Sequence, residues 1–437
     1  MAKLRKKEQT AILQSLRAGV VPRVGQQHVQ VGRADEVAAL LGDIDNIADG
    51  GSSIRFIVGE YGSGKTFFMR LVYAISQERR LVTAHADLNP DRRLHATGGQ
   101  ARGLYAELMR NLATRSSPDG NALASVAERF ITTALQEAGE RGISAEQAIQ
   151  ARMAPLTELV GGYDFAQVVE AYWRGHDTGN ERLKTDAVRW MRAEFTTKTD
   201  ARKALGVRTI IDDDNVYDHL KLMARFVRQA GFAGLLVGYD ELVNLHKLAN
   251  VQARRSNYEQ ILRILNDCLQ GQAEGLGILM GGTPELLYDT RRGLYSYDAL
   301  ATRLAQNRFA GEGLRDLSGP VIQLENLTPE DLYILLAKLR HVMAMEDEAA
   351  YLLPDPGLHA FLAHCSEVIG DAYFRTPRNT IKAFLDLLAV LDQNPGTDWR
   401  TLLGQIAVEP DAEPDLEGDD LEPGTAQGDD ALTAFRL

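Results

Sequence analysis

Cysteine is scarce: Cys268 and Cys365 are the only two in 437 residues, far apart and without a CxxC pair or a nearby histidine spacing. That excludes a disulfide framework, argues against zinc, and fits reduced thiols in a cytoplasmic setting. No apolar run approaches the roughly 18 residues that cross a bilayer, so no membrane role is expected. Lys3, Arg5, Lys6 and Lys7 have no apolar stretch of the secretory kind behind them, and residues 1–20 read as a mobile basic N-terminal arm. Aromatics are a modest 7%, while 45% apolar and 25% charged residues match an ordinary globular chain. The length allows one large elaborated domain or two coupled ones.

Positive charge is also in deficit, with a formal net charge of −12. The excess sits at one end: Glu409 to Leu437 holds ten acidic residues against Arg436, a net −9 that leaves about −3 for everything before it. Bulk charge therefore neither implies nor excludes a DNA-contacting face. Residues 409–437, acidic and rich in Pro and Gly, read as a disordered tail. Its apolar end, with Phe435 and Leu437, is either a docking element or an inert terminus.

Short apolar runs alternate with helical patterns. Ser53–Val58, Leu81–Leu88, Phe232–Tyr239, Leu276–Gly281 and Val321–Leu324 read as strands, and their alternation with helices predicts a parallel sheet. A helix precedes the first strand, with Val37, Leu40, Leu41 and Ile44 at helical spacing. The expected organisation is an α/β domain in two parts, 21–115 and 229–325, interrupted by a helical insertion at 116–228. A C-terminal helical lid follows at 326–408, opened by the cap Thr328-Pro329-Glu330-Asp331.

Gly59-Glu60-Tyr61-Gly62-Ser63-Gly64-Lys65-Thr66 matches GxxxxGK[ST] at every fixed position, after a strand and before a helix. The glycines let backbone N–H groups face phosphate oxygens, and the helix start adds its positive end. Lys65 would reach the β and γ phosphates of ATP and Thr66 would offer a hydroxyl to Mg2+. Phe67, next along, completes the expected nucleotide-binding set. The bland alternative is a glycine turn with an incidental lysine.

The strand ending in Gly238-Tyr239-Asp240-Glu241 places two acids at its carboxyl end, and a neighbouring position beside the glycine loop is expected for it. Asp240 would hold the metal, and Glu241 would orient and deprotonate the attacking water. The bland alternative is a pair of acids in the first turn of a helix, which the glycine loop disfavours. Gly238 and Tyr239 break the apolar run and suggest a slight irregularity there. Thr283, after the fourth strand, is a candidate γ-phosphate sensor or else a helix N-cap before Pro284. Arg303, Arg378 and, less directly, Arg308 are candidates for stabilising transition-state charge, although arginines on helices are often only solvated.

With these motifs in this order, the chain resembles AAA+ P-loop ATPases, especially their origin-recognition-like branch. The resemblance implies that Val31, Gly32 and Arg33 contact the adenine side and that the lid carries Arg378. More narrowly, three features resemble the ATP-binding proteins of bacterial phage-exclusion (BREX-type) defence loci, over roughly residues 20 to 405. These are Gly231-Phe232-Ala233-Gly234-Leu235-Leu236 before Asp240-Glu241-Leu242, Leu205-Gly206-Val207 after Trp190, and Arg375-Thr376-Pro377-Arg378. No recognition-helix module is evident after Leu391, a departure from the origin-binding relatives.

The expected activity is magnesium-dependent ATP hydrolysis in a nucleotide-driven switch or motor of phage defence. The alternatives are a nucleotide-gated DNA loader or clamp and a slow-turnover ATP-binding scaffold. Expected partners are further copies of the chain or other defence proteins, with DNA a candidate.

Overall fold

A computed structural model describes residues 3–309, 315–375, 377–404 and 408. The tail 409–437 and Thr376 lie outside the described residues. Five strands, β1 (Ser53–Gly59), β2 (Val82–Asp87), β3 (Leu235–Asp240), β4 (Leu276–Gly282) and β5 (Val321–Leu324), form one sheet in the order β2-β3-β4-β1-β5. Every neighbouring pair is parallel. Alternation along β1 explains the two covered faces: Ile54, Phe56 and Val58 join one core, whereas Ile57 joins the other.

Two helices precede or flank the first strand: α1 (Lys6–Arg17) and α2 (Ala34–Ala48). With α3 (Lys65–Glu78), α2 covers the face that takes Ile57, through Leu40, Ile44, Ile47, Phe68, Met69 and Val72. The opposite face receives α4 (Gln100–Arg110) and then a run of helices: α5 (Leu123–Arg141), α6 (Ala145–Thr157), α7 (Gly162–Thr178), α8 (Glu181–Met191), α9 (Lys198–Leu205) and α10 (Val216–Gln229). These helices have no separate core. Phe130 and Phe165 both pack on Phe226, at ring distances of 5.1 and 5.4 Å, in one cluster continuous with β1 and β3. Buried Asp164 fixes the turn before α10 by accepting from the Arg208 and Thr209 amides, and Trp190 Nε1 donates to the Thr209 carbonyl.

After β3 come α11 (Val243–His246) and α12 (Val251–Leu269), and after β4 come α13 (Pro284–Tyr288) and α14 (Asp298–Arg303). Gly238 does not disturb β3, whose parallel pairing to β2 runs through Asp240. Its missing side chain leaves the space that the Tyr73 hydroxyl fills, so the expected irregularity is replaced by a close helix–strand contact.

Beyond β5, α15 (Pro329–Met343), α16 (Asp355–Ile369), α17 (Ala372–Arg375), α18 (Arg378–Gln393) and α19 (Trp399–Leu403) enclose their own core around Leu336, Leu339, Phe361, Phe384 and Leu388. Thr328 opens α15 with a capping box, exchanging bonds with Asp331. The N-terminal residues depart from a mobile arm. Leu4 and Ile12 are buried in this C-terminal core, Gln9 donates to the Met343 carbonyl at 2.7 Å, and Arg17 meets Asp386 at 2.8 Å. One apolar stripe on a short basic helix suffices for docking, because the cations face out. Among the described residues no helix is long and apolar enough to cross a membrane.

Candidate functional site

The glycine loop joins β1 to α3. Gly62 and Gly64 adopt φ of 83° and 84°, the left-handed region where a side chain is strained. A Cβ on Gly59 would lie 2.5 Å from Ser63 Oγ and 2.9 Å from the Leu324 carbonyl, so the loop closes only around glycine. The Lys65 ammonium folds back on its own loop, donating to the Gly59 and Glu60 carbonyls at 2.7 and 2.8 Å. Burial lowers its pKa, while Asp240, Glu241, Glu285 and Glu60 pull the other way.

Asp240 lies across the pocket from the loop and touches it: Thr66 Oγ1 donates to Asp240 Oδ2 at 2.9 Å. The strand carrying this acid is not next to β1, because β4 runs between them. The contact survives the intervening strand because position 281 is glycine. A Cβ there would stand 2.5 Å from Asp240 Oδ1 and 2.8 Å from Met69 Sδ. Gly281 is thus a site residue that motif reading passes over, and its signal was the doubled glycine ending β4.

Glu241 follows with φ 57°, a left-handed conformation costing on the order of 1 kcal/mol or more in a non-glycine residue. Its amide donates to Asp240 Oδ1 at 2.9 Å. Burial raises its carboxyl pKa, and Asp240 and Asp87 add to the rise. Asp87, opposite Asp240 in the β2–β3 register, is a third carboxylate; burial and then Asp240 raise it as well. Sequence reasoning missed Asp87, although a lone acid ending an apolar strand marked it.

Thr283 occupies the N-cap position of α13, yet its hydroxyl makes no cap bond. Its Oγ1 and Ser63 Oγ are buried without a partner among the described residues, so two hydroxyls at this edge of the sheet are left for a ligand. Arg33, at φ 63°, donates to the Ser63 carbonyl at 3.3 Å and to the Glu325 carbonyl, which places Arg33 against the loop and the end of β5, whereas Gly32 faces Asp331 at the start of α15. Glu60 accepts from Asn326 at 3.1 Å. Phe67, partly buried, packs on the C-terminal core. From that core Arg378 reaches Tyr61, its Nη1 3.2 Å from the hydroxyl and its guanidinium 5.7 Å from the ring centre.

Arg303 is not brought to this pocket. It binds Asn266 on α12 at 2.9 Å and the Ala299 carbonyl of its own helix. Arg308 is exposed, also without a described contact to the loop.

The donor set fits a hard divalent cation. Neighbouring ligands of an octahedral magnesium at about 2.1 Å stand about 3.0 Å apart, which the Thr66–Asp240 oxygen pair matches at 2.9 Å. Among the described residues no group of three or more His, Cys, Asp or Glu gathers to hold a metal. A cation here would take its remaining ligands from phosphate oxygens and water. The pocket therefore suits a triphosphate and its metal, with acids on the side opposite the amide cradle.

A family model described as BREX system ATP-binding protein BrxC/D matches residues 4–407. No curated protein matches the chain.

Proposed function

The chain belongs to the BREX system ATP-binding protein BrxC/D family, and on that premise we propose that it hydrolyses the ATP it binds. The observation that carries this reading is the 2.9 Å bond between Thr66 and Asp240, which puts the acid pair and the phosphate loop in one pocket. Magnesium, held by Thr66 and Asp240, would neutralise charge on the phosphates. Lys65 exchanges the Gly59 and Glu60 carbonyls for phosphate oxygens, and the loop amides bind the rest.

Glu241 orients a water whose oxygen bonds to the γ phosphorus as the bond to the β–γ bridging oxygen breaks. The water proton passes to Glu241, and ADP and phosphate leave. The raised pKa of this carboxylate suits a base, since it holds a proton better than an ordinary glutamate. Thr283, with an unpaired buried hydroxyl, would report the γ phosphate. Arg378, already on Tyr61, would carry the nucleotide state into the C-terminal helices. Arg303 enters this reading from a neighbouring copy, since its described bonds within the chain go to Asn266 and the Ala299 carbonyl.

In this reading the fold is of the AAA+ kind and the protein is a nucleotide-driven switch or motor of phage defence, assembling with itself or with other defence proteins and acting at DNA. Release of phosphate from ATP in the presence and absence of Mg2+ tests the chemistry. Lys65→Ala is expected to lose binding and turnover. Glu241→Gln is expected to keep ATP bound while turnover falls by about 100-fold or more. Wild-type turnover in Glu241→Gln would remove Glu241 from its role.

A further inference from the structure

A cavity of about 480 Å³ outside the phosphate pocket opens at the start of α12 and is framed by the loop between α13 and α14. Its charged lining is one-sided: Arg254, Arg255 and Arg291 against Asp298. Only one carboxylate answers three guanidinium groups on this concavity, so its local field is positive although the chain outside the acidic tail is nearly neutral.

Their partners leave much of their binding capacity unused. Arg254 is buried and oriented by one bond from Nη1 to the Leu248 carbonyl, leaving other N–H groups of its five-donor fork. Arg255 meets Glu259 at 3.5 Å, a surface pair worth roughly 0–1 kcal/mol and readily exchanged. Arg291 is exposed and makes no side-chain ion pair among the described residues. Aromatic groups complete the wall. The Arg255 guanidinium lies 5.8 Å from the Tyr297 ring centre, and Tyr258 donates from its hydroxyl to the Arg292 carbonyl at 2.6 Å, fixing the loop that carries Arg291.

That loop is also tied to the acid pair. Asn244 donates its amide to the Glu241 carbonyl at 3.0 Å. Two residues on, His246 Nε2 sits 2.9 Å from Asp289, whose other oxygen accepts from the Arg291 amide at 2.7 Å. A ligand that drew Arg291 would therefore pull on a short bonded path ending at Glu241.

We propose that this arginine-lined cavity is a second binding site, for one nucleotide unit, with guanidinium groups on its phosphate and Tyr297 beside its base. The volume lies within the 300–1,000 Å³ span of small-ligand pockets and is of a size for one such unit. Forked guanidinium donors match phosphate oxygens, and tyrosine beside arginine is the pairing that holds splayed bases. A concave wall suits a flexible single strand, whose nucleotides turn inward, better than a rigid duplex backbone. The unit is supplied either by a residue of a single strand or by a free nucleotide.

The test is fluorescence anisotropy of a labelled oligothymidylate of about 15 residues, added to the full chain at about 50 mM salt and then at rising salt. Arg255→Glu with Arg291→Glu is expected to weaken binding by about tenfold or more and to lower the log–log salt slope by about 1.4, two contacts at roughly 0.7 each. Arg141→Glu with Arg182→Glu makes the same charge change on exposed side chains of distant helices and is expected to stay within about twofold of wild type. Lys65→Ala, which empties the phosphate loop, is expected to retain the strand, so failure of hydrolysis and failure of this site are separable. Displacement of the oligonucleotide by thymidine monophosphate would assign the site to free nucleotides; resistance to it would assign the site to the strand.

If the paired Glu variant does not fold by circular dichroism, Arg291→Ala, altering one exposed side chain, carries the same comparison. No binding by the wild type, unchanged binding in the cavity variant, or an equal loss in the control pair overturns the proposal.

Discussion

Gly281→Ala isolates the geometry on which the proposed chemistry rests. The new methyl carbon would begin 2.5 Å from Asp240 Oδ1, where ordinary contact starts at 3.4 Å, so the two must separate by roughly 0.9 Å. Met69 Sδ, at 2.8 Å, blocks escape on the other side. Asp240 is the group that gives way, because its remaining anchors are single bonds to Thr66 and to the Glu241 amide. A misplacement of about 1 Å in a catalytic group costs about 100-fold in rate. The expected outcome is a kcat lowered by about that factor and a raised magnesium requirement, with metal-free nucleotide affinity held by the unaltered loop. Overpacking should also cost about 1–3 kcal/mol in stability.

Gly277→Ala separates the two effects. On the same strand its Cβ would meet Ile47 and Leu236, deep in the core and away from the acids, so stability should fall while kcat holds. Steady-state kinetics across a magnesium titration, paired with thermal melts of both variants, reads the split. A Gly281→Ala enzyme with kcat within about threefold of wild type would refute the reasoning, since Asp240 would then tolerate the shift.

Two further outcomes test the folded framework. Burial, with Arg70 and Arg23 nearby, pushes His85 from 6.5 down to about 4, so the native protein keeps this ring neutral while the unfolded chain protonates it. Stability should therefore decline as pH falls from about 6.5 to about 4, by at most roughly 3 kcal/mol. His85→Phe, which retains an aromatic ring against Tyr73, should flatten that limb in denaturant titrations, and an unaltered limb would count against the assignment. Ile12→Ala removes a fully buried side chain from the contact between α1 and the C-terminal helices and should cost about 2–5 kcal/mol. A melting curve superimposable on wild type would mean that α1 does not dock there.

Local backbone geometry was the legible part of the sequence. A glycine-rich turn between an apolar strand and a helix has one sensible backbone path, so Gly62, Gly64, Lys65 and Thr66 could be placed before any coordinates. Strand segments were equally plain, because a run such as Leu276–Gly282 is apolar and buried on both faces, as a doubly covered parallel sheet requires, while the edge strand Val321–Leu324 admits one exposed polar residue, Gln323. Sheet order was not legible. Nothing local states that β4 separates β1 from β3, and so nothing showed that Gly281 must be small for Asp240 to reach Thr66.

Asp87 escaped for the same reason, since only the β2–β3 register sets it beside Asp240. The N-terminal helix was misjudged because its basic residues dominate the composition, whereas docking depends on a few positions such as Leu4 and Ile12. A chain segment's partner 330 residues away leaves no mark in its own periodicity.

The phosphate loop is also where two separately packed bodies meet. The sheet and its helices share one set of cores, and α1 with the C-terminal helices forms another. Phe67, two residues past Lys65, is lodged in the second of these, while Arg378 of the second rests on Tyr61 of the loop. The other described ties across the junction include Lys338 to the Gln30 carbonyl, part-buried, and Arg33 to the Glu325 carbonyl, exposed, both polar links. Such links are individually weak, of the order of 1 kcal/mol, so the C-terminal body is positioned by a few exchangeable contacts although its interior is well packed.

A ligand shifts an equilibrium of that kind only through contacts that differ between its states. Triphosphate binding would supply the difference at one place, because a Lys65 drawn to phosphate would release the Gly59 and Glu60 carbonyls that precede Tyr61. Were the loop carbonyls to reorient on that release, the ring under Arg378 would be displaced with them. The Tyr61–Arg378 contact is therefore the point at which the nucleotide would be felt by the C-terminal helices and, through Gly19 packed against the Arg378 side chain, by the segment that follows α1.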